Sequence, residues 1–199
     1  HVGDAFDKLM RPNTGIVMLE APASNSFEMC DVPLLTNIAH QKNPDCVVMM
    51  DNTWATPLFF KPLDHSVDIS IHALTKYPSG HSDVLMGGVS ANERTWDQLH
   101  TQQEAMGICV GGDDAYLVLR GMRSMGIRLE RHQKTTMEIC QWLQDHDQVS
   151  RVLYPALPDD PGYALWKRDF SGASGLFSFV LKPVPDAAVA KFFNSLKFF

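Results

Sequence analysis

Residues 16–51, IVMLEAPASNSFEMCDVPLLTNIAHQKNPDCVVMMD, decide the fold class. Ile16 to Leu19 is an apolar run of strand length ending in Glu20, of the kind expected of a strand buried on both faces. Asp31 then precedes Val32-Pro33, with Leu34, Leu35, Ile38 and Ala39 at helical spacing. An Asp cap and a Pro in the first turn start a helix, and Asn43-Pro44 stops it. Cys46 to Asp51 reads as a second buried strand, and it ends in a carboxylate. Strand, helix, strand at this spacing is a βαβ unit, which predicts two parallel neighbouring strands.

Working outward, Val67 to Ala73 is a third strand and Val84 to Val89 a fourth. The segment Leu74–Asp83 between them has room for a loop but hardly for a helical crossover, so these two strands should be antiparallel. Thr95 to Met106 reads as a helix. Another opens after Gly111-Gly112 with Asp113-Asp114, where carboxylates favour the positive helix end. A long helix runs from about Met125 to His146, with Leu129, Thr136, Met137, Cys140 and Leu143 as its inward stripe. Past Asp147 the pattern changes to short strands, Val152–Tyr154 and Leu176–Leu181, joined by a turn-rich link, and a helix from Asp186 follows. The expected fold is α/β with a mostly parallel sheet and one antiparallel strand. Residues 1–147 belong to a larger domain in this reading, and 148–199 begin a smaller α+β one.

Composition narrows the function classes. The chain has 199 residues, 45% hydrophobic and 20% charged, which excludes disorder. Its 17 Lys+Arg against 23 Asp+Glu leave a net charge of −6, a poor footprint for nucleic acid. No apolar stretch approaches the roughly 20 residues of a membrane span, and no signal-peptide layout opens the chain. Cys30, Cys46, Cys109 and Cys140 include no C-x-x-C pair, which suits free thiols in a reducing compartment. His72, His81 and Asp83 fit no familiar metal spacing, so no metal is expected. The start at His1 rather than Met, and the apolar end Leu196-Lys197-Phe198-Phe199, suggest an internal piece of a longer protein.

Ligands of open α/β sheets bind beyond the carboxyl ends of the strands. Asp51 ends one strand there; Thr75 and Lys76 follow another. Either residue alone has a plain reading, Asp51 as a turn or cap and Lys76 as a solvated side chain. Together, a carboxylate, a lysine and a hydroxyl match the needs of pyridoxal 5'-phosphate. The lysine bonds the aldehyde, the carboxylate keeps the ring nitrogen protonated, and the hydroxyl donates to the phosphate. A Rossmann-type nucleotide site is disfavoured, since no G-x-G-x-x-G follows a strand.

The same residues carry a family resemblance. Residues 51–83, DNTWATPLFFKPLDHSVDISIHALTKYPSGHSD, resemble the cofactor region of the Cys/Met-metabolism pyridoxal phosphate enzymes, which have the aspartate-aminotransferase fold called fold type I. LRGMRSMG at 119–126 and WKRDFSGASGLFSF at 166–179 continue the likeness. The latter, with YPALP at 154–158, resembles the bacterial cystathionine β-lyase branch. The resemblance implies Lys76 as the Schiff-base lysine and catalytic residue, Asp51 as partner of the ring nitrogen, and Thr75 as a phosphate ligand. Two positions depart from the wider family. Ala73 stands where many members have Ser, and Ser24 where many have Asn; both departures resemble the β-lyase branch.

The implied activity splits cystathionine into homocysteine, pyruvate and ammonia, a step toward methionine. A γ-lyase or γ-synthase of the same family stays open. The resemblance also implies a cytoplasmic homo-oligomer, a dimer of dimers. It places the ring-stacking residue and phosphate cradle upstream of this chain and the substrate-carboxylate Arg downstream. The chain by itself is therefore expected to be catalytically incomplete.

Overall fold

The structure is a computed structural model that describes residues 2–198. Helix α1 (Val2–Leu9) leads into β1 (Ile16–Glu20), α2 (Val32–Lys42) and β2 (Val47–Asp51). The predicted helix start holds. Asp31 accepts from the Leu34 N–H at 3.1 Å, and Pro33 lies in the first turn. A short helix α3 (Thr56–Phe59) and a 3-10 turn (Pro62–His65) then lead to β3 (Ile69–Ala73) and β4 (Gly87–Ala91). The sheet order is β1-β2-β3-β4, with β1, β2 and β3 parallel and β4 antiparallel to β3, as the loop-length argument requires.

Helices α4 (Glu93–Ala105), α5 (Gly112–Met122) and α6 (Met125–Gln144) follow. A second, two-stranded sheet pairs β5 (Val149–Leu153) with β6 (Ser178–Leu181), antiparallel, with α7 (Tyr163–Asp169) between them and α8 (Asp186–Asn194) after. On α6, Leu129, Thr136, Cys140 and Leu143 are buried and Met137 half-buried, so the predicted stripe faces inward. The turn-rich link before β6 contains α7, a helix that the sequence reading passed over. The four cysteines are free thiols. Burial pushes the Cys140 thiol up to about 12 and that of Cys30 to about 11. Among the described residues, no helix is long and apolar enough to cross a membrane.

One expectation is corrected. β1 is not buried on both faces: its residues alternate, with Val17 and Leu19 in the core while Ile16 and Met18 are 65% and 54% exposed. Val17, Leu19, Val48 and Met50 share a buried cluster with Val32, Leu35 and Ala39 of α2. Burying each large side chain contributes about 1.5–3 kcal/mol, so this face supplies the main adhesion of the βαβ unit. Among the described residues, the opposite face of β1 has no such cover. An apolar run reports tolerance of burial, not which neighbour provides it. Near the far end, Phe198 is exposed and Phe199 lies outside the described residues.

At the amino ends of β2 and β3, Asp68 acts as a hub. Its backbone N–H donates to Val48 C=O at 2.8 Å and its carboxylate accepts from the Val48 N–H at 2.8 Å. Asn92 Nδ2 and Arg94 Nε donate to the same carboxylate at 2.8 and 3.1 Å, and His40 Nε2 lies 2.9 Å away. A buried charge is tolerable only with such saturation. Burial alone would push the Asp68 carboxyl up; the bonds from Arg94, the Val48 N–H, Asn92 and His40 hold it below the usual range instead. The hub fixes three strands in register, because Asn92 N–H also donates to Asp68 C=O at 2.9 Å just past β4. A one-residue slip would turn every side chain to the wrong face.

Candidate active site at the carboxyl edge of the sheet

Register carries Asp51 to the carboxyl edge of the sheet. It pairs with Glu20 on one side and Ile71 on the other. Its Oδ1 accepts from the Thr53 N–H at 2.8 Å, which folds the chain after β2 into a tight turn. The Thr53 hydroxyl accepts from the Ala73 N–H at 2.9 Å, tying that turn to the end of β3. Ala73 C=O then accepts from the Lys76 N–H at 3.0 Å. A relay of hydrogen bonds thus joins Asp51 to the backbone of Lys76 across two loops that are far apart in sequence. No ion pair joins the two side chains among the described residues. Asp51 is half-buried and Lys76 exposed.

The Lys76 loop is held from below. Gly80 N–H donates to Lys76 C=O at 2.8 Å, with Gly80 at φ 72°, a conformation that suits glycine. The buried Ser79 donates its hydroxyl to Thr75 C=O at 2.9 Å. Arg128 Nη2 donates to Tyr77 C=O at 2.8 Å and to Gly121 C=O at 2.9 Å, while its Nε donates to Ser124 Oγ at 3.1 Å. Gly121 lets α5 approach so closely that a Cβ there would overlap the Ser79 and Pro78 carbonyls. Helices α5 and α6 thereby form a fixed floor under the loop.

Thr75 is spent locally. Its Oγ1 accepts from the Met86 N–H at 2.9 Å and donates to Met86 C=O at 3.3 Å, a long bond. Turning that one proton toward a phosphate would cost little and keep the bond from the Met86 N–H. Ser24, on the loop after β1, is engaged with Glu20: its hydroxyl donates to Oε1 at 2.6 Å and its N–H to Oε2 at 3.1 Å. His72 is buried with neither ring nitrogen hydrogen-bonded among the described residues. Burial pushes its imidazole below the usual range, and the Asp51 carboxylate opposes that shift.

The donor set fits pyridoxal phosphate. Among the described residues, no hydrogen bond or ion pair engages the Lys76 amine. Among the same residues, Oδ2 of Asp51 accepts no hydrogen bond, so it keeps capacity for a protonated ring nitrogen. The sequence alone nominates Asp51, Thr75 and Lys76 as candidates and gives no part to Thr53 or Arg128. Thr53 stands two residues after Asp51, and only its bond from the Ala73 N–H reveals what it does. Arg128 sits on a helix, with nothing local to distinguish it from a solvated side chain.

Comparison with known proteins bears on the family. The cystathionine beta-lyase of Haemophilus influenzae is 44% identical over 199 residues, covering 100% of this chain and 50% of that protein. The cystathionine beta-lyase MetC of Escherichia coli is 46% identical over 181 residues, 91% of this chain and 46% of its own length. The crystal structure of cystathionine gamma synthase from Xanthomonas oryzae pv. oryzae in complex with cystathionine superposes with a TM-score of 0.87 at 34% identity, over 92% of this chain and 47% of that one. The chain spans about half the length of the curated relatives it matches. Its architecture is that of the fold type I pyridoxal phosphate enzymes. The model of the Cys/Met metabolism PLP-dependent enzymes matches residues 1–199, and the chain belongs to that pyridoxal-phosphate-dependent family.

Proposed function

We propose that the protein carrying this chain is a carbon–sulfur lyase that cleaves cystathionine by β-elimination. With one water consumed, the products are homocysteine, pyruvate and ammonia. The observation that carries this reading is the relay Asp51–Thr53–Ala73–Lys76, which sets an unengaged amine and a carboxylate with spare acceptor capacity at one sheet edge. The β rather than γ assignment is supported by 44–46% identity to two proteins named β-lyases. A protein named L-methionine gamma-lyase, from Fusobacterium nucleatum subsp. polymorphum, stands at 38%.

Lys76 would carry the cofactor through its Nζ, Asp51 would pair with the ring nitrogen, and the Thr75 hydroxyl would turn to the phosphate. Bound there, pyridoxal phosphate supplies an electron sink for charge developing at the substrate Cα. Lys76 takes the Cα proton as general base, and the same amine returns a proton to the departing sulfur. Asp51 would accept from the ring nitrogen and so favour its protonated form. Arg128 and Gly121 keep the lysine loop from drifting, which matters because about 1 Å of misplacement can cost on the order of a hundredfold.

In the same reading, residues 1–147 form part of a large cofactor-binding domain and 148–199 the beginning of a small one. The enzyme works in the cytoplasm as a homo-oligomer, a dimer of dimers. The 199-residue chain alone is expected to release negligible pyruvate, since Lys76 is exposed and one face of β1 is uncovered. Product analysis on the full protein tests the reaction. Homocysteine with pyruvate is expected; predominant cysteine with 2-oxobutyrate would make it a γ-lyase and remove the substrate claim.

A further inference from the structure

Residues 171–176 form an irregular strap between α7 and β6, and backbone groups along it are bonded to distant elements. The Ala173 N–H donates to Gln133 Oε1 at 2.8 Å, and Ser174 C=O accepts from the Tyr154 hydroxyl at 2.8 Å. Gly175 C=O accepts from the Thr136 hydroxyl at 3.2 Å. Two of the bonds reach the site loops. The Gly175 N–H donates to the Tyr77 hydroxyl at 3.0 Å, one residue after Lys76. Leu176 C=O accepts from the Trp54 indole N–H at 2.9 Å, three residues after Asp51. Adjacent strap residues therefore grip the two loops that carry the proposed amine and carboxylate. Gly172, Ala173 and Ser174 are buried, so losing a partner there leaves a polar group without water to replace it.

We infer that Tyr77 and Trp54 are positioning residues, and that the strap 171–176 couples the Lys76 loop to the Asp51 loop. Neither side chain needs to touch substrate. Each fixes its own loop against the strap, so the strap sets the separation of the two loops in addition to the direct Thr53–Ala73 bond. With Lys76 and Asp51 in the roles proposed above, a loosened strap misplaces the amine relative to the carboxylate without changing either group. That predicts a loss in kcat rather than in substrate binding.

The experiment perturbs the strap through α6, at a residue bonded to neither loop. Thr136→Val removes the hydroxyl that holds Gly175 C=O. In the full protein with pyridoxal phosphate bound, hydrogen exchange read by mass spectrometry should rise in 171–176 and also in both 51–57 and 74–80. The visible circular dichroism of the bound cofactor should shrink, and kcat should fall about 10- to 100-fold with KM within about twofold. Thr136→Ser, which keeps the hydroxyl, should restore all three. Tyr77→Phe should raise exchange in 51–57 as well as in its own loop, and serves if Thr136→Val does not fold. Exchange that rises only around the mutated residue would overturn the coupling. Coupled exchange with unchanged dichroism and kcat would overturn the positioning role. An unaltered protein without visible dichroism would contradict the cofactor assignment instead, and the exchange measurements would still decide the coupling.

Discussion

Two aspartates stand at opposite ends of the same parallel strands and have opposite fates. Asp68, at the amino end, is buried, with its carboxylate bonded to Val48, Asn92, Arg94 and His40. Asp51, at the carboxyl end, is half-buried, and among the described residues one hydrogen bond reaches its carboxylate, from the Thr53 N–H. Saturation makes a carboxylate a structural pin: its charge is fully used by the fold and nothing remains for a ligand. Spare acceptor capacity at a held position makes a carboxylate available for chemistry. Open α/β sheets put their ligands at the second end because the loops there can differ without disturbing the register fixed at the first.

The sharpest way to break the contrast is to exchange the consequences. Lys76→Ala should keep the fold and lower turnover by at least about 10²–10⁴-fold, since general base and cofactor attachment are lost together. Asp51→Asn should unfold at nearly the wild-type temperature while turnover drops by at least about a hundredfold, because an amide cannot hold the ring nitrogen protonated. Calorimetry beside a pyruvate assay reads both; near-normal turnover in the Asn variant would make Asp51 structural. Asp68→Ala should do the reverse in order of cause. It leaves Arg94 and the Val48 N–H without their acceptor and should cost about 3–5 kcal/mol of stability by denaturant titration.

Much of this contrast was legible in the sequence at one end only. Asp51 and Lys76 are legible as candidates because the strand ends and the motif around 75–83 place them. Asp68 was passed over, since a lone Asp in Val-Asp-Ile gives no local signal and its partners sit at 40, 48, 92 and 94. The same limit hid the parts of Thr53, Trp54 and Tyr77, whose partners are at 73, 176 and 175. Helix α2 was legible because Asp31, Pro33 and Asn43 act locally. The exposed face of β1 was not, because period and polarity say nothing about which layer is present to cover it. Non-local bonds are where the reading of a single sequence runs out.

Acid should sharpen the comparison further. His72 is held neutral by burial, so its folded pKa lies below the unfolded value of about 6.5. Stability is then full above about pH 6.5 and declines as pH falls toward the folded value. Asp68, also depressed, adds its own loss only as pH falls below about 4. Melting temperatures between about pH 7 and 5 should fall less steeply in His72→Gln than in the unaltered protein; parallel curves would remove His72 from the account. The smallest effect is expected at Arg168, whose two bonds to Asp31 at 2.8 and 3.0 Å tie α7 to the cap of α2. The side chain is 49% exposed, so Arg168→Ala should cost no more than about 1 kcal/mol.

The central claim is that Lys76 is where the cofactor is held. Borohydride reduction of the full protein loaded with pyridoxal phosphate, followed by digestion and mass spectrometry, tests it in one step. A pyridoxyl group on Lys76, absent from Lys76→Ala, is the predicted result; the same label on any other lysine would contradict it.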